Sequence, residues 1–236
     1  MLQKIRALLF DLDGTLIDTG ELHYEATVKA LNALGGSINR QTYDQNIHGH
    51  NNAHIAQFLF PDASPSRHAE YVGLKEQTFR ASLGHVSPVA GLLDLLAWAV
   101  QNAVAVGLVT NAPKNNKDVI LEVLGLTGQF QPVILGDDLP QGKPHPLPYL
   151  TALEILGLEA DVAIGFDDSV HGVTAVHRAG MFAVGITTGQ TETELIAAGA
   201  NLCCMDFTDP KLLQTLESHI YFILYYDFVT LLLQWV

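Results

Sequence analysis

An α/β fold is predicted: a parallel sheet wrapped by helices and interrupted after its first strand by a helical insert. Three observations predict it. Short apolar runs recur along the chain without polar alternation, segments of helical spacing lie between them, and residues 19–85 break that rhythm. Unbroken apolar runs of about 4–8 residues suit strands buried on both faces. Their alternation with helices is the pattern of a parallel sheet covered on its faces.

The first run, Ile5–Phe10, stops at Asp11. Three helical pieces follow without intervening strands: Glu21–Leu34, Ala53–Phe60 and Ser66–Ser82. Pro61 and Pro65 punctuate them, and Pro88 marks the return to the sheet. The later runs are Ala103–Val109, Pro132–Leu135, Val162–Phe166 and Phe182–Ile186. Helical spacing covers Gly91–Asn102, Asn115–Leu124, Leu147–Leu156 and Val170–Ala179. Gly125, Gly157 and Gly180 stand where helices should end. The expected organisation is an α/β core of residues 1–18 and 86–218, a helical cap of residues 19–85, and an apolar tail of residues 219–236. The tail is shorter than the roughly 20 apolar residues a membrane-spanning helix needs, and Asp227 charges its middle. An added strand, a dimer contact or a sticky surface is expected of it instead.

Composition narrows the function. Of 236 residues, 12 are Lys or Arg and 25 are Asp or Glu, a net charge of −13. Such a chain lacks the basic surface that tracks a nucleic-acid backbone, so no nucleic-acid partner is expected. A hydrophobic content of 48% is enough for a packed core. Cys203 and Cys204 are adjacent and cannot build a framework of cross-links. Residues Met1 to Arg6 lack the layout of a signal peptide. A cytoplasmic protein, monomer or homodimer, is expected.

In open α/β sheets, ligands bind beyond the carboxyl ends of the strands. There the chain carries Asp11-Leu12-Asp13-Gly14-Thr15, Thr110-Asn111, Gly142-Lys143-Pro144 and Asp167-Asp168-Ser169. Hard carboxylate oxygens suit Mg²⁺, which keeps several waters and binds substrate phosphate. Two carboxylates about 4 Å apart repel by roughly 4 kcal/mol at an effective dielectric of 20, so the grouping implies a cation. Lys143 can bridge a carboxylate and a phosphate oxygen, and Thr110 can hold another phosphate oxygen. Each motif alone is common in turns; all of them in order beyond buried strands point to magnesium-dependent phosphoryl transfer.

Asp11-Leu12-Asp13-Gly14-Thr15-Leu16 resembles the first motif of the haloacid dehalogenase superfamily. Thr110-Asn111, Lys143 and Asp167-Asp168 resemble its second, third and fourth motifs. The resemblance covers the chain to about Ser218 and implies a Rossmann-like parallel sheet with an inserted α-helical cap. That branch holds phosphoglycolate phosphatases and β-phosphoglucomutases. It implies Asp11 as nucleophile and Asp13 as general acid and base, with Thr110 and Lys143 completing the catalytic set. Mg²⁺ would be held by Asp11, the Asp13 backbone carbonyl and Asp168, with Asp167 beside it or reaching it through water. Substrate contacts are expected from Leu12, Thr110, Asn111 and Lys143, and from His23 and His50 in the insert. An acid at Asp13 disfavours dehalogenation, and no insert lysine matches the phosphonate-cleaving pattern. Phosphatase and sugar phosphomutase remain, each acting on a small phosphorylated metabolite; a catalytically idle binding or membrane-associated protein is the distant rival. His145 departs from the family, which more often has Asp after Gly-Lys-Pro.

Overall fold

A computed structural model describes residues 4–218; the apolar segment 219–236, with every expectation attached to it, lies outside the described residues. The strands are β1 (Ala7–Phe10), β2 (Ala105–Thr110), β3 (Val133–Leu135), β4 (Ala163–Asp167), β5 (Phe182–Ile186) and β6 (Leu202–Cys204). They form one sheet of order β3-β2-β1-β4-β5-β6, and every pairing is parallel. The α/β expectation holds, and the order reverses direction between β1 and β4. A crevice opens where strand order reverses, so the ends of β1, β2 and β4 share one rim.

The apolar runs become strands because both faces are covered. All four residues of β1 are fully buried. On one face Phe10 stacks on Phe166 of β4 at 4.8 Å between ring centroids and meets Phe130 and Phe207 edge-on. On the other, Ala7 and Leu9 join Val109, Tyr149, Val173 and Val176. Strand β2 starts two residues later than the apolar run beginning at Ala103. Ala103 adopts a positive φ of 53° in the turn that leaves the preceding helix, α5 (Leu92–Gln101).

Between β1 and α5 lie α1 (Gly20–Ala33), α2 (Arg40–Asn46), α3 (Asn52–Leu59) and α4 (Pro65–Ser82). They enclose a cluster of their own around Tyr43, Ile47, Ile55 and Tyr71. Helix α2 is missing from the sequence reading, because its residues RQTYDQN are polar and bury only Tyr43. Its start is fixed by Asn39, whose side chain accepts from the Thr42 N–H. The chain enters and leaves this insert side by side: Ile17 bridges both Asp13 and Pro88, and Val89 N–H donates to the Leu16 carbonyl.

After β2 come α6 (Lys114–Val123), α7 (Leu147–Leu156), α8 (Val170–Arg178) and α9 (Glu192–Ala197). Gly157 caps α7 in the left-handed region, and Gly125 and Gly180 take positive φ just beyond α6 and α8. Helix α9 and strand β6 were not anticipated. The helix has six residues and starts from a Thr191/Glu194 capping box, and the strand has three residues. Elements that short carry no readable period.

Candidate active site

Asp11 follows the last residue of β1, and its N–H continues the ladder by donating to the Phe166 carbonyl at 2.9 Å. Thr110 and Asp167 are the last residues of β2 and β4, so the sheet itself sets their spacing. Asp11, Asp167 and Asp168 are all buried and bring carboxylate oxygens within 4.8 Å of one another. Lys143 Nζ sits between two of them, donating to Asp11 Oδ1 at 2.6 Å and to Asp167 Oδ2 at 2.7 Å.

Asp167 is saturated by protein donors. Tyr149 Oη donates to its Oδ2 at 3.1 Å, and the Ser169 N–H and Oγ donate to its Oδ1 at 3.0 and 2.8 Å. With the lysine these take both oxygens, which leaves Asp167 to hold Lys143 and to meet an ion only indirectly. Asp168 is set differently, packed against backbone. A Cβ on Gly14 or on Gly189 would come 2.0 Å from its Oδ2, and Gly14 has a φ of +76°. Only glycine lets those loops pass so close to the carboxylate. Gly172 does the same for Asp167, where a Cβ would approach Oδ2 to 1.8 Å.

The electrostatics follow from burial and crowding. Asp11 is raised to about 7, first by burial and then by the charge of Asp167, against the opposing pull of Lys143. Asp168 is raised well above its ordinary value by burial and by Asp167, Asp11 and Asp13. Burial would lower Lys143, yet Asp11 and Asp167 overcome it and hold the ammonium charged. Three carboxylates around one ammonium leave a deficit of positive charge. A small hard cation fits that deficit, with Asp11 and Asp168 the carboxylates available to it.

The Asp13 side chain stands apart from this cluster. Its Oδ1 accepts from Thr19 Oγ1 at 2.9 Å and lies 3.2 Å from His23 Nε2. Burial would raise its pKa, but His23, Thr19 and the charge of Lys75 outweigh burial and lower it. His23 is thus no surface residue; it stacks on Phe79 of α4 at 3.9 Å. Thr110 turns its hydroxyl to the Ala112 N–H at 3.0 Å. Asn111 grips the lysine loop, accepting from Lys143 N–H and donating to the Lys143 carbonyl, each at 3.3 Å. Leu12 buries its side chain in the core, so any substrate contact falls to its backbone. His145, where the sequence departs from the family, accepts the N–H of Leu147, the first residue of α7, at 3.1 Å. Asp11, Asp13, His23, Thr110, Asn111, Lys143 and Asp168 line a cleft of about 190 Å³. Its far wall comes from the insert and includes Lys75, Glu76 and His50, which faces the His54 and His171 rings.

The family model for haloacid dehalogenase-like hydrolases matches residues 8–186. The chain belongs to this family. A validoxylamine A 7'-phosphate phosphatase of Streptomyces hygroscopicus subsp. limoneus is 31% identical over 212 residues, covering 87% of this chain and 96% of the relative. A phosphoglycolate phosphatase of Xylella fastidiosa is 32% identical over 188 residues, covering 75% and 77%. The crystal structure of a mutant CbbY from Rhodobacter sphaeroides, in complex with xylulose-(1,5)bisphosphate, superposes with a TM-score of 0.78 at 27% identity. That match covers 87% of this chain and 96% of CbbY. This haloacid dehalogenase-like chain is a hydrolase, and the phosphoric monoester is the bond class its named relatives share. No helix among the described residues is long and apolar enough to cross a membrane.

Thr19, Tyr149, Glu76, Gly172 and Gly189 were given no role in the site from the sequence; Gly14 and Ser169 stood in motifs without one, and Lys75 was weighed only as an insert lysine of the phosphonate-cleaving kind. Thr19 and Ser169 had a signal, since each lies in or beside a motif. Tyr149 had none, because a tyrosine in an apolar helix reads as core.

Proposed function

We propose that this hydrolase releases phosphate from a small phosphorylated metabolite, with Mg²⁺, through a phosphoryl group carried transiently on Asp11. The observation that supports it most is the buried Asp11–Lys143–Asp167–Asp168 constellation, with Asp13 held nearby on a separate set of partners. Asp11, Asp168 and the Asp13 backbone carbonyl are the groups we assign to Mg²⁺, which when bound would offset the negative charge of the reacting phosphoryl group.

The chain's own groups account for the rest. Lys143 ties down Asp11 Oδ1, leaving the other oxygen to attack phosphorus. As that O–P bond forms, the ester P–O bond breaks, and Asp13, a carboxylate at rest that takes up a proton as the substrate binds, passes it to the departing oxygen. The His23 ring, 3.2 Å away, is positioned to share that proton. Asp13, now a carboxylate, then takes a proton from water, which attacks phosphorus and releases phosphate from Asp11. Residues 19–85 are assigned as the cap that excludes bulk water, hinged where the two connecting strands run together. The reading places the protein in the cytoplasm, as a monomer or homodimer.

The decisive test is hydrolysis of p-nitrophenyl phosphate. Mg²⁺ should support it, EDTA should abolish it, and Asp11→Asn should lower kcat by at least about 10³-fold. Full turnover in chelator or in the Asn variant would overturn the mechanism. The contact of His23 with Asp13 also favours a second reading, the sugar phosphomutase, because the sequence resembles the mutase branch at that histidine. An isomerised sugar phosphate as product, in place of free phosphate, would establish it.

A further inference from the structure

The cleft is lined by more carboxylates than cations. Its lining carries the carboxylates of Asp11, Asp13, Asp18, Glu76 and Asp168, with Lys75 and Lys143 as its lysines. Lys143 belongs to the phosphoryl end, clamped between Asp11 and Asp167. The wall facing the released half of the substrate therefore depends on Lys75, and Lys75 is already paired. Its Nζ lies 2.6 Å from Glu76 Oε1, and both side chains are 7% exposed.

That pairing is fixed by helix α6, whose Asn116 also lines the cleft. Asn116 of α6 donates from Nδ2 to Glu76 Oε2 at 2.5 Å, and Arg80 of α4 donates to Asn116 Oδ1 at 2.9 Å. Glu76 is thus held as a carboxylate beside Lys75 by a partner on the opposite side. The rest of this wall offers neutral hydrogen-bonding groups, Asn51, Asn52, His48 and His50. Burial pushes both histidines down, and His54 and His171 add to the effect on His50, so these imidazoles bring no lasting positive charge near neutral pH.

We propose that the half of the phosphate ester this site releases carries hydroxyl groups and no second anionic group. Hydroxyls match amide and imidazole donors and acceptors, whereas a carboxylate or second phosphate would sit beside Glu76 and Asp18 without a free counter-charge. The inference deepens the phosphatase reading and rests on it.

The test compares esters matched in size and differing in one carboxylate: glycerol 3-phosphate with 3-phosphoglycerate, and glucitol 6-phosphate with 6-phosphogluconate, with p-nitrophenyl phosphate as reference. The uncharged member should have the higher kcat/KM by at least about tenfold. Parity or reversal, or failure of both uncharged members while the reference ester is hydrolysed, overturns this inference and leaves the phosphatase reading standing. No hydrolysis of any ester overturns both. Glu76→Gln frees Lys75 and should raise the ratio of acid to uncharged ester by at least about threefold. An unchanged ratio in a folded Gln variant overturns the role given to Glu76.

Discussion

Lys143 is 4% exposed at its side chain and touches two carboxylates, so its removal has two separate consequences. Lys143→Met keeps most of the volume but leaves Asp11 and Asp167 facing each other without a cation. Turnover should drop by about 10²–10³-fold, the scale seen when one preorganised electrostatic group is lost. Tyr149 acts one step further out. It donates to Asp167 Oδ2, and Lys143 Nζ lies 5.1 Å from the centre of its ring. Tyr149→Phe removes a hydrogen bond to a charged group, worth about 1.5–3 kcal/mol at most. The expected result is a fall in kcat of about tenfold with KM nearly unchanged, measured by steady-state kinetics on p-nitrophenyl phosphate. A change confined to KM would place Tyr149 in substrate binding. Asp11, Thr110 and Asp167-Asp168 were legible in the sequence because each stands at the end of a buried apolar run, a place the sequence can mark, whereas Lys143 was legible only as the lysine of Gly142-Lys143-Pro144 in the loop beyond β3. Tyr149 was not, since what brings it to Asp167 is the packing of α7 on the sheet, which no local pattern records.

At the scale of elements, the sheet and the insert differ in how plainly they are written. Strands β1, β4 and β5 lie inside the predicted runs to within about two residues because they are covered on both faces, so no polar residue interrupts them. Helix α2 is held by neighbours and a cap instead of by an apolar face of its own, and β6, although apolar and buried, is only three residues long. The joint between α4 and α6 is equally silent in the sequence, being built from Glu76, Asn116 and Arg80, which read individually as surface residues. In the structure Glu76 and Asn116 are buried, and Asn116 satisfies a carboxylate oxygen on one side and a guanidinium on the other. Asn116→Ala should destabilise the fold by about 1–3 kcal/mol, since it strips a partner from a buried charge. Burial tends to raise the pKa of Glu76, but Lys75 and Asn116 outweigh burial and lower it below its ordinary 4.5. A carboxyl lowered on folding contributes stability above its unfolded pKa and loses it as pH falls through the folded one. The gap between wild type and Asn116→Ala in urea denaturation should therefore be widest near neutral pH and narrow in acid below the ordinary carboxylate range. A gap independent of pH would mean that the asparagine acts by packing alone.

For the molecule as a whole, the site opposes the fold that carries it. Asp11, Asp167 and Asp168 are buried together because two parallel strands, β1 and β4, and the turn after β4 deliver them to one rim, and Lys143 offsets only part of their charge. Crowded carboxylates about 4 Å apart repel by roughly 4 kcal/mol at an effective dielectric of 20. Asp168 is the place to test this, since Gly14 and Gly189 pack against it and an isosteric amide fits the same space. In EDTA, Asp168→Asn should be more stable than the wild type by about 1–3 kcal/mol, because a charge leaves the cluster while the shape stays. For a chain of this length that is a rise in Tm of roughly 2–4 °C per kcal/mol. Mg²⁺ should reverse the order. Under the proposed assignment it binds the folded cluster and not the unfolded chain, so at about 100 times its Kd it should stabilise the wild type by about 2.7 kcal/mol. The variant has lost an assigned ligand and should gain little. Paired melting curves in EDTA and in Mg²⁺ read both effects without any substrate. If Asp168→Asn melts below the wild type in EDTA, or responds to Mg²⁺ as the wild type does, neither the repulsion nor the metal role assigned to Asp168 stands.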